Sequence, residues 1–355
     1  MKITFLSPHI GIGGGIKIIF EYANRLMDLG HDVTVVSIIP KSMRGKTSKE
    51  TSYAAFEPGK KNTNPVKWFD LRTKLILAHD FHPRYIPDGD VVVASAWQTA
   101  YDVNGYPPQK GKKLYFIQSY ETWDGPEDLV DGTWTLPLRK IVIASWLKDL
   151  AENKFHQKVS EVITNPIDSS EFYCKTKQWN QPRKIGMLYH KGKWKGVKDA
   201  KTAFSLAKKV HPGIKLVMFG AKPDPEWTDI EYEYYHRPSN EALRELYCSC
   251  DIWLSGSLVD GSALTPAEAM ACRCALVATD IGGVRDYAIN NKTALLSPKG
   301  NPDALAMKLI YLIENELELE RISDAGYNII KQFTWEKAVK IFEQELISGA
   351  HKQEH

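Results

Sequence analysis

The chain has 355 residues, 43% of them hydrophobic and 25% charged, and its formal net charge at pH 7 is +3. This length exceeds one ordinary hydrophobic core, so two domains are expected, and the near-balanced charge disfavours a nucleic-acid partner. The N-terminal apolar run is too short for a signal peptide, and no segment is long enough to cross a bilayer. These features predict a cytoplasmic globular protein.

Residues 2–37 predict a strand, a glycine loop, a helix and a second strand, which together open a doubly wound α/β domain. The loop contains Gly11, Gly13, Gly14 and Gly15. Such glycines either let a ligand approach the backbone at the helix start or serve packing at a tight turn. A dinucleotide site is disfavoured, because the third glycine of Gly-x-Gly-x-x-Gly is missing and no acid ends the second strand.

Residues 41–65 are rich in Lys, Ser, Gly, Thr and Asn and show no hydrophobic period, which predicts a loop. Its basic side chains are candidates for peripheral contact with an anionic lipid surface, and a solvated basic loop is the simpler interpretation. These side chains belong to Lys41, Arg44, Lys46, Lys49, Lys60 and Lys61.

Residues 90–96 and 113–118 predict two further parallel strands, the second of which ends in a polar and aromatic segment, residues 118–124. Binding and catalytic groups collect at the carboxyl ends of parallel strands. Tyr120 and Glu121 are therefore candidates for substrate contact, and a purely structural role in the loop is the equal alternative.

A polar segment, residues 169–183, precedes a second series of alternating strands and helices. This alternation predicts a second doubly wound parallel sheet. We expect an N-terminal domain at 1–168, a C-terminal domain at 169–334 and a last amphipathic helix at 335–347.

The five cysteines include two Cys-x-Cys pairs, each at a predicted junction of a helix and a strand. That position favours reduced, buried thiols over a zinc site. The residues are Cys174, Cys248, Cys250, Cys272 and Cys274.

The segment from Asp260 to Met270 lies between two apolar runs and predicts the start of a helix. Thr265 is expected as the N-cap, Pro266 as the first helical residue, and Glu268 in the first turn. The positive end of a helix attracts phosphate, and carboxylates accept hydrogen bonds from hydroxyl groups. With Asp260 and Glu268 beside it, this helix end suits a sugar carried on a phosphate.

The same segment resembles the acidic signature of retaining glycosyltransferases of the GT4-like (glycosyl transferases group 1) family, in which an acid and a glutamate are separated by seven residues. The elements that match are Leu264-Thr265-Pro266, Glu268-Ala269-Met270-Ala271 and Asp280-Ile281-Gly282-Gly283. The departures are Asp260 in place of glutamate, Ser262 in place of an aromatic residue and Ala263 in place of glycine.

The resemblance implies the GT-B fold, in which two Rossmann-like doubly wound parallel-sheet domains face each other across a cleft. It implies that the domain at 1–168 binds the acceptor and the domain at 169–334 binds the nucleotide-sugar donor. The helix at 335–347 is then expected to pack back on the first domain.

In the donor domain, the resemblance implies that Glu268 binds ribose hydroxyls and Asp260 binds a hydroxyl of the donor sugar. Lys195 matches the lysine that holds the leaving diphosphate, although a solvated lysine-rich loop is the alternative for its segment. The family's arginine is absent, and His190 or Lys191 stands in its place. The remaining expected donor contacts are Ser262, Ala263, Leu264 and Thr265.

In the acceptor domain, Gln118 stands near the place where many relatives carry a histidine that contacts the donor sugar. Glutamine can form hydrogen bonds but cannot titrate, so a proton-transfer role is disfavoured. The resemblance also implies that Gly13, Gly14 or Gly15 approaches the donor pyrophosphate or the acceptor, and Gly14 aligns best.

The implied function is retaining transfer of a hexose or deoxyhexose from a nucleoside-diphosphate sugar to a hydroxyl of a glycan or glycolipid, in surface polysaccharide assembly. Neither a metal ion nor a separate cofactor is expected, and the oligomeric state stays open. One alternative is a sugar-nucleotide epimerase of the same architecture, which Gln118 disfavours because that reaction needs a histidine facing the sugar. The other is a catalytically silent sugar-nucleotide binding subunit, which the departures from the family pattern motivate.

Overall fold

The computed structural model describes residues 1–41, 53–56 and 65–351. It divides into two compact units, which we call the first unit (Met1–Ile163 with Glu336–His355) and the second unit (Thr164–Trp335). The division therefore lies at Ile163, whereas the boundary expected from the sequence lies at residue 168. Lys41 is exposed, and the other five basic residues considered for lipid contact lie outside the described residues.

The first unit begins with the predicted strand, glycine loop, helix and strand. Its strands are β1 (Lys2–Ser7), β2 (Asp32–Ile38), β3 (Tyr53–Phe56), β4 (Lys74–Ala78), β5 (Val91–Ala94), β6 (Lys112–Ile117), β7 (Arg139–Val142) and β8 (Glu161–Val162). The helices between them are α1 (Gly14–Asp28), α2 (Trp97–Asn104), α3 (Glu127–Thr135) and α4 (Ser145–Asn153).

The described strands of the first unit form a sheet in the order β3-β4-β2-β1-β5-β6-β7-β8. All neighbours pair in parallel except β3, which runs antiparallel to β4. The central strands are buried on both faces, as the continuous apolar runs of β1 and β5 require. The strand order reverses between β1 and β5, which makes their carboxyl ends the switch point of this sheet.

The second unit repeats this architecture. Its strands are β9 (Lys184–Leu188), β10 (Lys215–Gly220), β11 (Glu233–His236), β12 (Ile252–Ser255), β13 (Ala275–Thr279) and β14 (Leu295–Ser297). Its helices are α5 (Val197–Val210), α6 (Asn240–Ser249), α7 (Leu264–Ala271), α8 (Pro302–Glu314) and α9 (Glu316–Ile330).

The six strands of the second unit are all parallel, in the order β11-β10-β9-β12-β13-β14. One buried cluster joins the sheet to α5 and α8, and another joins it to α6 and α7, so helices cover both faces. The switch point lies between β9 and β12. The prediction of two doubly wound parallel-sheet domains is confirmed.

The last helix, α10 (Trp335–His351), completes the core of the first unit. Phe342 is fully buried, and its ring stacks on Tyr22 at 4.5 Å and meets Phe116 edge-on at 5.1 Å. Glu345 pairs with Arg139 at 2.7 Å. The helix continues to His351, beyond the predicted end at residue 347.

Among residues 1–41, 53–56 and 65–351, no helix combines the length and hydropathy that crossing a bilayer requires.

Candidate functional site

Two loops of the second unit meet at the switch point, one after β9 and one after β12. Gly196 has a φ of 54°, and a Cβ on it would collide with the carbonyl oxygen of Gly256. Gly256 in turn has no room for a side chain, because its Cβ would lie 2.9 Å from the backbone nitrogen of Ala200. Only a glycine at each position permits this contact, which fixes one loop against the other.

The contact between these loops brings two of the predicted site residues together. Lys195 Nζ lies 2.5 Å from Asp260 Oδ2, and both side chains are mostly buried, with exposed fractions of 24% and 15%. A small pocket beside this pair is lined by both residues and by Thr265 at the start of α7. The lysine and the acid therefore share a site at the carboxyl ends of β9 and β12, where doubly wound sheets bind ligands.

The loop that carries Asp260 is held by the turn that follows β13. Gly283 packs so closely on this loop that its Cβ would lie 2.9 Å from Asp260 Cβ, and its carbonyl accepts the N–H of Ala263 at 2.8 Å. Tyr287 donates its hydroxyl to the carbonyl of Ala263 at 2.6 Å. The Asp280-Ile281-Gly282-Gly283 element thus positions Asp260.

Helix α7 begins two residues earlier than predicted, at Leu264. Its N-cap is Ala263, which makes no side-chain capping bond, so the prediction of Thr265 as the N-cap and Pro266 as the first helical residue is wrong. The two hydrogen bonds to Ala263 fix the helix start in place of a capping side chain. Proline is tolerated at the third helical position, because the first N–H groups of a helix have no partner within it.

Because of this earlier start, Glu268 lies in the second turn of α7 and not in the first. It is 7% exposed, and its Oε2 accepts a hydrogen bond from the hydroxyl of Tyr247 at 2.9 Å. Tyr247 lies on α6 and is completely buried, which raises its pKa well above the usual value and keeps the hydroxyl a donor. Tyr247 is a site residue that the sequence did not indicate. A buried carboxylate requires a hydrogen-bond donor, and that requirement is the only signal that could have led to Tyr247.

His190 is half-buried and interacts electrostatically with Lys195 and Asp260, whereas Lys191 lies exposed on the surface. His190 Nδ1 accepts the N–H of Gly192 at 2.9 Å, so a neutral ring carries its proton on Nε2. Burial lowers the pKa of His190, the charges of Lys195 and Lys222 lower it further, and Asp260 opposes this shift. Lys222, which follows β10, is a cation near the site that the sequence reading did not single out.

In the first unit, the three candidate glycines start α1. Gly13 is the N-cap, Gly14 the first helical residue, and a Cβ on Gly15 would lie 3.3 Å from Gln118 Oε1. Gly15 therefore lies close to Gln118 at the carboxyl end of β6, and both Gly15 and Gly14, which aligned best, are exposed.

Tyr120 belongs to a hydrogen-bond network within the first unit. Its hydroxyl donates to Asp131 at 2.6 Å, and Lys154 Nζ donates to its oxygen at 2.6 Å. These contacts join Tyr120 to α3 and to the end of α4. Glu121 accepts the backbone N–H of Trp97 at 2.8 Å.

All five cysteines are free thiols, and Cys250, Cys272 and Cys274 are buried. Cys248 is half-buried, and the hydrogen bond with the Cys272 thiol, together with that of Cys174, lowers the pKa of Cys248 to about 6. Among the described residues, no group of three or more His, Cys, Asp or Glu side chains is placed to hold a metal ion.

The fold, with two doubly wound parallel-sheet units, is that of the GT-B glycosyltransferases. Sucrose-phosphate synthase from Thermosynechococcus elongatus aligns with a TM-score of 0.74 at 14% identity, over 98% of both chains. Anabaena Alr3699/HepE in complex with UDP and glucose aligns with a TM-score of 0.74 at 13% identity, over 98% of this chain and 100% of that chain.

Residues 170–329 match the family model described as glycosyl transferases group 1, so the second unit carries a domain of that type. The uncharacterized glycosyltransferase MJ1178 of Methanocaldococcus jannaschii is 30% identical over 116 residues, which are 32% of this chain and 33% of that protein. This chain spans 33%, 43% and 54% of the length of three curated relatives that it matches.

Proposed function

We propose that the protein is a retaining glycosyltransferase that moves a hexose or deoxyhexose from a nucleoside-diphosphate sugar to a hydroxyl of a glycan or glycolipid. The observation that carries the proposal is the pair of Lys195 and Asp260 beside the start of α7, at the switch point of the second unit. A cation and a helix N-terminus suit a diphosphate, and a carboxylate suits the hydroxyls of a sugar. The bound UDP and glucose of Alr3699/HepE support the same ligand class.

The chemical difficulty in such a transfer is the charge that develops on the leaving diphosphate. Preorganised donors and cations stabilise that charge, and this site offers Lys195, the Nε2–H of His190 and the first N–H groups of α7. These groups are of the type that can stabilise the leaving diphosphate without a metal ion. His190, and not the exposed Lys191, takes the place of the family's arginine in this proposal.

The Lys195–Asp260 pair also has a role before the reaction. With no donor bound, each side chain neutralises the other in a mostly buried position. A diphosphate competes for Lys195, which leaves Asp260 free to accept a hydrogen bond from the donor sugar, while Glu268 accepts from the ribose. The acceptor oxygen then bonds to the sugar carbon on the face from which the diphosphate oxygen departs, and the hydroxyl proton passes to that oxygen.

The binding part of the proposal is tested by thermal shift and titration calorimetry with UDP, GDP, dTDP and ADP. We expect one of these to raise the melting temperature, because a ligand stabilises the state that binds it. Lys195→Ala and His190→Ala should weaken that diphosphate about tenfold to a hundredfold, the equivalent of about 1.5–3 kcal/mol for a hydrogen bond to a charged group. Lys191→Ala is the matched control and should bind as the wild type does. Wild-type affinity in Lys195→Ala would refute the assignment.

A catalytically silent binding subunit is the second candidate, favoured by Asp260 in place of glutamate and by the missing arginine. The two candidates differ in one reaction. An enzyme releases free nucleoside diphosphate from its donor slowly, even when no acceptor is present, whereas a silent subunit does not. We expect release, and its loss in Lys195→Ala.

We further propose that the protein acts in surface polysaccharide assembly on the cytoplasmic face of the cell membrane. The support is the breadth of the family and the basic residues between 41 and 65. Activity toward small soluble acceptors alone would count against this setting.

A further inference from the structure

The first unit has its own group of polar side chains at its switch point. The carboxyl ends of β1, β5 and β6 lie side by side there, because β5 pairs with both other strands. The segments that follow β5 and β6 carry the side chains of Trp97, Gln98, Gln118, Ser119, Glu121 and Asp124, which we call the switch-point cluster. Switch points of doubly wound sheets are where ligands bind.

Four polar atoms of the switch-point cluster have no hydrogen-bond partner in the part of the chain that the structure describes. They are Trp97 Nε1, Gln98 Oε1, Gln118 Oε1 and Ser119 Oγ. All four side chains are half-buried, so each also has exposed surface beside its unpaired atom. Unpaired buried polar groups are unfavourable, and their concentration in two adjacent segments indicates an external partner.

The acidic side chains of the cluster favour a neutral ligand over an anionic one. Glu121 accepts the backbone N–H of Trp97 at 2.8 Å, so the N-terminus of α2 is already occupied by a carboxylate of the protein. Asp124 adds a second acid and accepts a hydrogen bond from Gln98 Nε2 at 2.9 Å. A phosphate placed here would be repelled by the Asp124 carboxylate and would find a second acid in Glu121, whereas a neutral hydroxyl can donate to both side chains.

The aromatic side chains around the cluster fit the same partner. Trp123 and Tyr101 are 39% and 37% exposed. Trp97 meets Tyr101 edge-on at 6.5 Å, and a Cβ on Gly125 would lie 2.5 Å from the indole ring of Trp97, so this ring packs closely on the backbone of Gly125. Aromatic rings provide an apolar face beside polar groups, which matches the two kinds of surface on a sugar ring.

We propose that the switch-point cluster binds an uncharged sugar of the acceptor, so that the group recognised by this cluster is a neutral glycan and not an anionic lipid head group. The amide, hydroxyl and indole groups supply both donors and acceptors for sugar hydroxyls, and the two acids accept from them. This inference rests on the proposed transferase function.

Saturation-transfer NMR on the full chain tests the inference with three kinds of probe. The neutral probes are the p-nitrophenyl glycosides of glucose, galactose, mannose, N-acetylglucosamine and rhamnose. The charged probe is glucose 6-phosphate, and phosphatidylglycerol vesicles are tested by sedimentation. The variants are Gln98→Ala and Trp97→Phe, with Gln109→Ala as the control, since Gln109 is an exposed glutamine of the same unit outside the cluster.

We expect at least one neutral glycoside to bind, and Gln98→Ala and Trp97→Phe to weaken it at least about fivefold while Gln109→Ala leaves it unchanged. Binding only to glucose 6-phosphate or to vesicles, no binding to any neutral glycoside, or equal binding by all variants overturns the inference. Titration of each variant with the nucleoside diphosphate that binds the wild type shows that the fold is intact. If the wild type binds no nucleoside diphosphate, the proposed function fails; if it does and the glycosides do not bind, only this inference fails.

Discussion

The hydrogen bond between Tyr247 and Glu268 gives the sharpest test of how the donor acid is held. Tyr247→Phe removes one hydroxyl from a fully buried ring and leaves the ring packing in place. The buried carboxylate of Glu268 then loses a donor that lies 2.9 Å away. The chain offers a matched control in Tyr287→Phe, because Tyr287 is 2% exposed and donates to a neutral acceptor, the carbonyl of Ala263.

The expected magnitudes follow from the charge of the acceptor. Hydrogen bonds to charged groups contribute about 1.5–3 kcal/mol, and neutral ones about 0.5–1.5 kcal/mol. We therefore expect Tyr247→Phe to lower the unfolding free energy of the second unit by about 2 kcal/mol and Tyr287→Phe by about 1 kcal/mol. For a domain of this size these losses correspond to about 4–8 °C and about 2–4 °C in melting temperature.

Differential scanning calorimetry of the wild type and both variants measures this difference, and titration with the bound nucleoside diphosphate measures its consequence for donor affinity. The diphosphate should bind Tyr247→Phe less tightly, because Glu268 has lost one of the contacts that orient its carboxylate. A melting shift for Tyr247→Phe that is no larger than that for Tyr287→Phe would refute the assignment of a charged, buried carboxylate to Glu268.

Three further outcomes are expected. Burial raises the pKa of Glu121 from 4.5 to about 7, so between these pH values the folded chain holds more protons than the unfolded chain, and the contribution of Glu121 to stability falls as pH rises. Glu121→Gln should remove this pH dependence, so the difference in melting temperature between the variant and the wild type should favour the variant most at pH 8. Asp88→Asn, on the exposed surface, should leave the pH dependence unchanged. Iodoacetamide at pH 7 should label Cys248 before Cys174, as peptide mass spectrometry can show, because the pKa of Cys248 is lowered to about 6 and that of Cys174 is raised to about 11. Gly196→Ala should lower the melting temperature and abolish diphosphate binding, because the added methyl group collides with Gly256 and displaces Lys195; binding with wild-type affinity would show that the loop contact is not needed.

Much of the fold could be predicted from the sequence, because it depends on local patterns of apolar residues. Apolar runs of strand length alternate with amphipathic helices along most of the chain, and that alternation has few solutions other than doubly wound parallel sheets. The position of the site was predictable for the same reason, since loops after β9 and β12 meet wherever those strands are neighbours. Lys195 and Asp260 were expected in one site and lie 2.5 Å apart.

What the sequence did not reveal depends on contacts between distant segments. The start of α7 is fixed by the hydrogen bonds that join Ala263 to Gly283 and Tyr287. The sequence rule looks for a capping side chain near the helix start, and it therefore predicted Thr265 as the N-cap. The donor to Glu268 comes from another helix, and no local pattern connects the two. The contact between Gly15 and Gln118 likewise joins loops from two strands.

The place of α10 in the first unit has a consequence for biosynthesis. Ribosomes make residues 1–163 before residues 164–335, but the aromatic surface of Tyr22 and Phe116 stays uncovered until Phe342 has been translated. The second unit has all its residues once Trp335 is made. The first unit therefore acquires its last residues only after the second unit has been synthesised in full. Nascent chains that stall or are cut before Phe342 would expose an apolar surface to chaperones and proteases while carrying an intact second unit.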